Sequence, residues 1–181
     1  MRQIDGHALR LRLVRPKDAA YIHALRTDPR YNTHISAVTG GVDEQRAWIE
    51  RYKRREAEGS EFYYAIERRD GRGLCGVVRL YGIEAGRFTW GSWILDGNKP
   101  SKAALESAML VYRAGFERLD CQIAVFDVRL GNDRTLSFHR RFGAVEVCRG
   151  QRDVYFEYSR ASFEADQPKL EAILAGRVEA S

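Results

Sequence analysis

No run of apolar residues in this chain approaches the ~18 that a membrane span needs. The N-terminus, MRQIDGHALRLRLVRP, also lacks an apolar signal core, so a cytoplasmic protein with no membrane partner is expected. Cysteine is scarce. Cys75, Cys121 and Cys148 form an odd set with no CxxC pair, each inside an apolar, strand-like run. They read as reduced core residues rather than as metal ligands or nucleophiles. No internal repeat and no low-complexity segment interrupts the chain.

What remains is an ordinary globular balance: 181 residues, 44% hydrophobic and 30% charged. That length suits one compact domain over residues 1–181, with a C-terminal helical tail over 162–181. The net charge is +5, carried by arginines spread along the sequence. The densest run, Arg51-Tyr-Lys-Arg-Arg, has helical spacing and reads as a solvated face. It has no nucleic-acid-binding module around it, so no nucleic-acid partner is expected. A mild basic excess does suit a small polyanionic ligand through electrostatic steering.

Ala8–Val14 alternates apolar and charged residues, the pattern of a half-buried strand ended by Arg15-Pro16. A short helical pattern follows over Lys17–Thr27, then a turn-rich loop over Asp28–Gly41. Asp43 reads as the N-cap of a helix whose stripe is Trp48, Ile49 and Tyr52 and whose end is near Gly59. Three strands then form a meander: Phe62–Arg68, Leu74–Tyr81 and Phe88–Asp96, joined by the turns DGRG and EAGR. In the next helix Leu105, Ala108, Met109, Tyr112, Phe116 and Leu119 share one face, with Glu106, Arg113 and Glu117 opposite. A strand over Gln122–Val128, a helix over Asn132–Phe142 and strands at Ala144–Cys148 and Val154–Tyr158 complete the core, and the tail helix meets Pro168. A strand–helix–strand unit inside an otherwise antiparallel order implies an α/β (α+β) fold. Its mixed sheet would have about seven strands, with helices on both faces.

This order resembles the GNAT superfamily of acyl-CoA-dependent N-acetyltransferases. The most specific local match is VRLGNDRTLSFHRRFGAVEV, residues 128–147. Like the family segment after the fifth strand, it has an asparagine (Asn132), an amphipathic helix with Leu136 and Phe138, then His139 and Phe142-Gly143. LVRPKDAA, residues 13–20, is similar to the family's opening strand and helix. The resemblance covers roughly residues 8 to 160.

The resemblance implies acetyl-CoA as cosubstrate, no metal, and direct attack by an amine in a ternary complex. The family's loop Gln/Arg-x-x-Gly-x-Gly/Ala, which takes the CoA pyrophosphate, falls on Lys99, Pro100, Ser101, Lys102, Ala103 and Ala104. Only the last position agrees, and Lys102 stands where the family has its central glycine. Amides opening a helix favour anions whatever the side chain, and Lys99 and Lys102 could add charge. A backbone amide of the segment Trp93-Ile94-Leu95 would supply the oxyanion donor, Ile94 and Leu95 would pair with the pantetheine arm, and Asn132 would hold the arm or cap its helix. His139 takes the place of the family's usual tyrosine acid. An imidazole tuned near neutral pH would suit that role. Many members carry a glutamate base on the fourth strand, but FTWGSWILD has none before Asp96. Glu84, Tyr81, His34, Asp127 or a water is left as the base. His34, Tyr81, Glu84 and Trp90 are the candidate acceptor-site residues.

PSKAAL, FHRRFGA and VYFEYSRASFE are also similar to N-acetyltransferases of bacterial surface-sugar pathways, of the pseudaminic-acid type. That likeness implies a UDP-linked amino sugar as acceptor and a possible homodimer. The branch acetylating ribosomal-protein N-termini (the ribosomal-protein-alanine type) is laid out alike, so a protein N-terminus is the alternative acceptor. The irregular loop and missing glutamate also allow a non-catalytic acyl-CoA-binding module. A basic, aromatic cleft would favour the nucleotide sugar, and an acidic one a cationic peptide.

Overall fold

A computed structural model describes residues 3–36 and 38–177. One sheet of eight strands runs through the molecule in the order β1-β2-β3-β4-β5-β6-β8-β7. The strands are β1 Gln3–Asp5, β2 Leu9–Leu13, β3 Phe62–Arg68, β4 Leu74–Glu84, β5 Arg87–Leu95, β6 Ile123–Arg129, β7 Val145–Arg149 and β8 Asp153–Ser159. The helices are α1 Ala19–Thr27, α2 Val42–Ala57, α3 Ala103–Arg113, α4 Asp133–Phe142 and α5 Arg160–Leu174. Every neighbouring pair is antiparallel except β5 and β6, which α3 connects.

Alternation along the strands divides the core between the two sheet faces. Tyr63, Ala65, Val77 and Ile94 pack with Ile22, Leu25, Ile49 and Tyr52 of α1 and α2. Tyr64, Val78, Leu80, Phe88 and Phe126 pack on the other face with Met109, Tyr112, Leu136 and Phe163 of α3, α4 and α5. After Arg113 the α3 chain widens into a π-turn over Ala114–Arg118. A Cβ on Gly115 would stand 2.2 Å from the Phe88 ring, so glycine lets this turn lie directly against β5.

Several expectations change. The sheet has eight strands because the short β1 pairs with β2, and three residues carry too little alternation to be read. Gly41 is the N-cap of α2. Its amide donates to Glu44 Oε2 at 2.8 Å, while Asp43 lies in the first turn. Tyr52 is fully buried, and Lys53 donates to Val14 O at 3.0 Å, so the basic run is not wholly solvated. Glu106 is not on a solvent face. It is 2% exposed and accepts from the amides of Ala8 and Leu9 at 2.9 and 3.0 Å, fixing the start of β2 to α3. Cys75 and Cys121 are buried, but Cys148 is exposed on the edge strand β7. Pro168 does not break α5, whose buried Phe163 and Leu170 hold both halves of the helix against the core. Residues 178–181 of the expected tail lie outside the described residues. Among the described residues no helix is long and apolar enough to cross a membrane.

Candidate active site

The site begins where the sheet opens. β5 and β6 pair only through Arg87–Thr89 and Ile123–Val125, then diverge. A bulge shapes the β5 side of this opening. Gly91 faces Arg79 and Ile94 faces Val77, so Ser92 and Trp93 together oppose Val78. Ser92 takes φ +48° to make the extra step. Simple alternation would set Trp90 and Trp93 on opposite faces. The bulge brings them to the same face, with ring centroids 5.3 Å apart, and places Ile94 on the other.

The opening holds two connected hollows. A cleft of about 500 Å³ is lined by the α1–α2 loop (Arg30, Tyr31, His34), by Tyr81 and the bulge, and by Asp127, Arg129, Asn132 and His139. A groove of about 200 Å³ runs on between β5 and α4, lined by Trp93, Leu95, Lys99, Ala104, Arg134, Thr135 and Phe138. Trp93, Leu95 and Thr135 border both.

At the groove end, Lys102 is the N-cap of α3 and has φ +61°, a left-handed conformation that glycine adopts most easily. This gives a physical reason for a glycine at the matching family position. The Ala103 amide is used in the preceding turn, donating to Pro100 O at 3.3 Å. Ala104 and Leu105 are the remaining first-turn amides without an intrahelical acceptor. The Lys102 ammonium does not serve the groove, because it donates to the carbonyl of Ile173 at the end of α5. Ser101 is exposed and does not line the groove. Lys99 does, while donating to Asp96 O at 3.3 Å. Arg134, on the opposite wall, was not singled out from the sequence. Its signal was the i, i+4 spacing with Phe138, which puts both on the groove side of α4. Asn132 caps α4, accepting from the Thr135 amide at 3.4 Å.

His139 is 3% exposed and enclosed by aromatic rings: Phe126 at 4.5 Å, Trp90 and Phe138 at 5.3 Å, and Phe156 at 5.9 Å. Burial pushes its pKa down to about 3. The expectation of an imidazole tuned near neutrality therefore fails, and the ring is uncharged at working pH. Sequence spacing placed the histidine but could not show the cage around it.

The base candidates separate. Glu84 stands at the tip of the β4–β5 hairpin opposite Arg87, outside the cleft lining. Tyr81 lines the cleft, but burial, and next the charge of Asp127, raise its phenol pKa. His34 lines the cleft from the α1–α2 loop. Asp127 is the one carboxylate of the lining among the described residues. Its side chain is exposed to the cleft, yet partial desolvation by the surrounding protein, followed by the charge of Asp153, raises its pKa above the usual aspartate value. Trp90 forms the floor, 4% exposed, rather than a wall open to a ligand. Arg30 and Arg129 flank the cleft, each with a half-buried carboxylate partner: Asp28 at 2.6 Å and Asp153 at 3.6 Å. Tyr31 ties its loop to the turn after β5 by accepting from the Gly97 amide at 3.1 Å.

The open parallel pair beside a helix N-terminus, with a tryptophan-floored cleft in front, thus offers one groove and one cleft that meet at Trp93. The acetyltransferase (GNAT) domain family matches residues 8–145, and the chain belongs to it. Among solved structures, it is similar to FdhC, described as a nucleotide-linked sugar GNAT, at 38% identity and TM-score 0.86. That match covers 92% of this chain and 95% of FdhC. The spermidine N-acetyltransferase of Vibrio cholerae, solved with CoA and spermine, matches at 17% identity and TM-score 0.75, covering 88% of this chain and 99% of that one. A GCN5-related N-acetyltransferase from Brucella melitensis matches at 16% identity and TM-score 0.82, covering 98% and 87%. These two carry the fold alone. No curated protein matched the chain.

Proposed function

We propose that this enzyme transfers an acetyl group from acetyl-CoA to the primary amine of a nucleotide-linked amino sugar, by direct attack in a ternary complex. The observation that carries the acceptor class is the cleft's lining. Two arginines and several aromatic rings face a single carboxylate, which suits an anionic ligand with a planar base better than a cationic peptide or polyamine. The 38% identity to a nucleotide-linked sugar GNAT over nearly the whole chain supports the same reading.

The groove fits the cosubstrate. First-turn amides at Ala104 and Leu105, with Lys99 and Arg134, would hold the pyrophosphate, and the unpaired edge of β5 at Ile94 and Leu95 would hold the pantetheine arm. When bound, acetyl-CoA supplies an activated acyl carbonyl and a thiolate leaving group. Asp127, as a carboxylate more basic than a free aspartate, takes the proton that the acceptor ammonium must lose. Backbone amides of the Trp93–Leu95 segment, at and after the bulge, donate to the oxygen where negative charge develops. His139, being uncharged, cannot deliver a proton as an imidazolium. It donates an N–H hydrogen bond toward the departing sulfur, whose thiol reference pKa of about 8.5 lets it leave as thiolate.

The reading is tested by thiol release from acetyl-CoA on a panel of nucleotide-linked amino sugars, N-terminal peptides and polyamines. Turnover is expected on the sugars. Turnover confined to peptides would replace the acceptor, and saturable acetyl-CoA binding without thiol release on any amine would replace catalysis with a binding module.

A further inference from the structure

Five buried side-chain polar atoms have no hydrogen-bond partner among the described residues, and three of them belong to rings linked through Trp90: Trp90 Nε1, the Tyr112 hydroxyl and His139 Nδ1. Their residues are 4%, 0% and 3% exposed. The Trp90 indole connects them. Its centroid is 5.5 Å from the Tyr112 ring and 5.3 Å from the His139 ring, edge-on to both. Burial raises the Tyr112 pKa while the Trp90 N–H lowers it, so these two polar ends are neighbours. They nevertheless fall short of hydrogen-bond geometry.

The chemistry of the three groups narrows what can satisfy them. An indole N–H only donates, a phenol does either, and a neutral imidazole has one donor nitrogen and one acceptor nitrogen. Left unpaired, each would cost about 1–3 kcal/mol. One water closes the set. It can accept from Trp90 Nε1–H and from the Tyr112 O–H, and donate to His139 Nδ1. Three bonds is the usual number for a buried water.

We propose that Trp90 and Tyr112, through one shared buried water, hold His139 as the Nε2–H tautomer, which makes Tyr112 a positioning residue for the imidazole N–H. With Nδ1 fixed as acceptor, the proton resides on the nitrogen that remains for the cleft. The inference rests on the reading of His139 as the hydrogen-bond donor to sulfur.

The test uses the full chain labelled with ¹⁵N-histidine. Long-range ¹⁵N–¹H correlations report the tautomer of each of its four histidines, and the His139 signals are assigned by their loss in His139→Phe. Wild type is expected to show Nε2–H at His139. Tyr112→Phe, which keeps the ring and removes only the hydroxyl, is expected to shift it toward Nδ1–H, as is Trp90→Phe. In Tyr112→Phe, kcat should fall about tenfold with the KM for acetyl-CoA unchanged. An Nδ1–H tautomer in wild type overturns the proposal even if a variant fails to fold, and so does an Nε2–H tautomer unchanged in both variants. A shifted tautomer with unchanged kcat would uphold the relay and remove His139 from the reaction. An unshifted tautomer, with activity lost in His139→Phe, would overturn the relay and leave the reaction assignment standing.

Discussion

The groove and the cleft meet at Trp93, Leu95 and Thr135, yet they are built differently. One wall of the groove is backbone, the free edge of β5 and the first turn of α3, and the other is formed by Arg134, Thr135 and Phe138 of α4. The cleft is mostly side chains, many borne by the α1–α2 loop and the end of β6. A backbone site tolerates sequence change, because any residue but proline supplies an amide. A side-chain site is redefined by each substitution. One half can thus keep a cosubstrate while the other changes acceptor.

Substitutions can break this contrast or sharpen it. The largest effects, about 100-fold in kcat each, are expected where the halves join. His139→Phe should lower kcat while the KM for acetyl-CoA stays within about twofold; equal activity would remove the imidazole from the mechanism. Asp127→Asn should act similarly and alter the pH profile. Because the Asp127 pKa lies above the usual aspartate value and its ionised form is the active one, wild-type activity should fall as pH drops through that raised pKa. The variant should lose that limb. Neither profile should show an ionisation near 6.5 from His139, whose pKa is held at about 3.

About tenfold changes in KM should then separate the halves. Arg30→Ala or Arg129→Ala should raise the KM for the acceptor alone, and Lys99→Glu or Arg134→Glu that for acetyl-CoA alone. Crossed effects in steady-state kinetics would mean that the ligands are placed the other way round. The smallest effect concerns the backbone itself. Lys102→Gly relieves a left-handed lysine and should change stability by about 1 kcal/mol or less, offset by the lost contact to Ile173, with acetyl-CoA KM unchanged. A large rise in KM would show that the lysine side chain, not the amides, holds the phosphate.

The same contrast governed what could be read from the sequence. The meander, the crossover helix and Asn132 at the cap of α4 were legible because alternation, turn glycines and capping chemistry act locally. Lys102 was located as the irregular position, but only its φ shows that the irregularity is conformational rather than chemical. The role expected of its ammonium was lost because α5 comes back to take it. Glu106 looked solvated because helical spacing says which face a residue occupies, not what the chain brings to that face. Glu84 and Asp127 were equal candidates in sequence. The divergence of β5 from β6, a long-range feature, put one in the cleft and left the other at a hairpin tip.

The extra residue at Ser92 acts as a phase shifter. Strand side chains repeat every two residues, so if Ser92 were drawn into the regular ladder opposite Val78, every position after it would turn over. Trp93 would swing toward α1 and α2, and Ile94 toward the aromatic cage. The strand could still pair, yet the indole would leave the seam between the two hollows. The bulge, rather than the identity of the residue within it, thus decides whether the indole reaches the hollows.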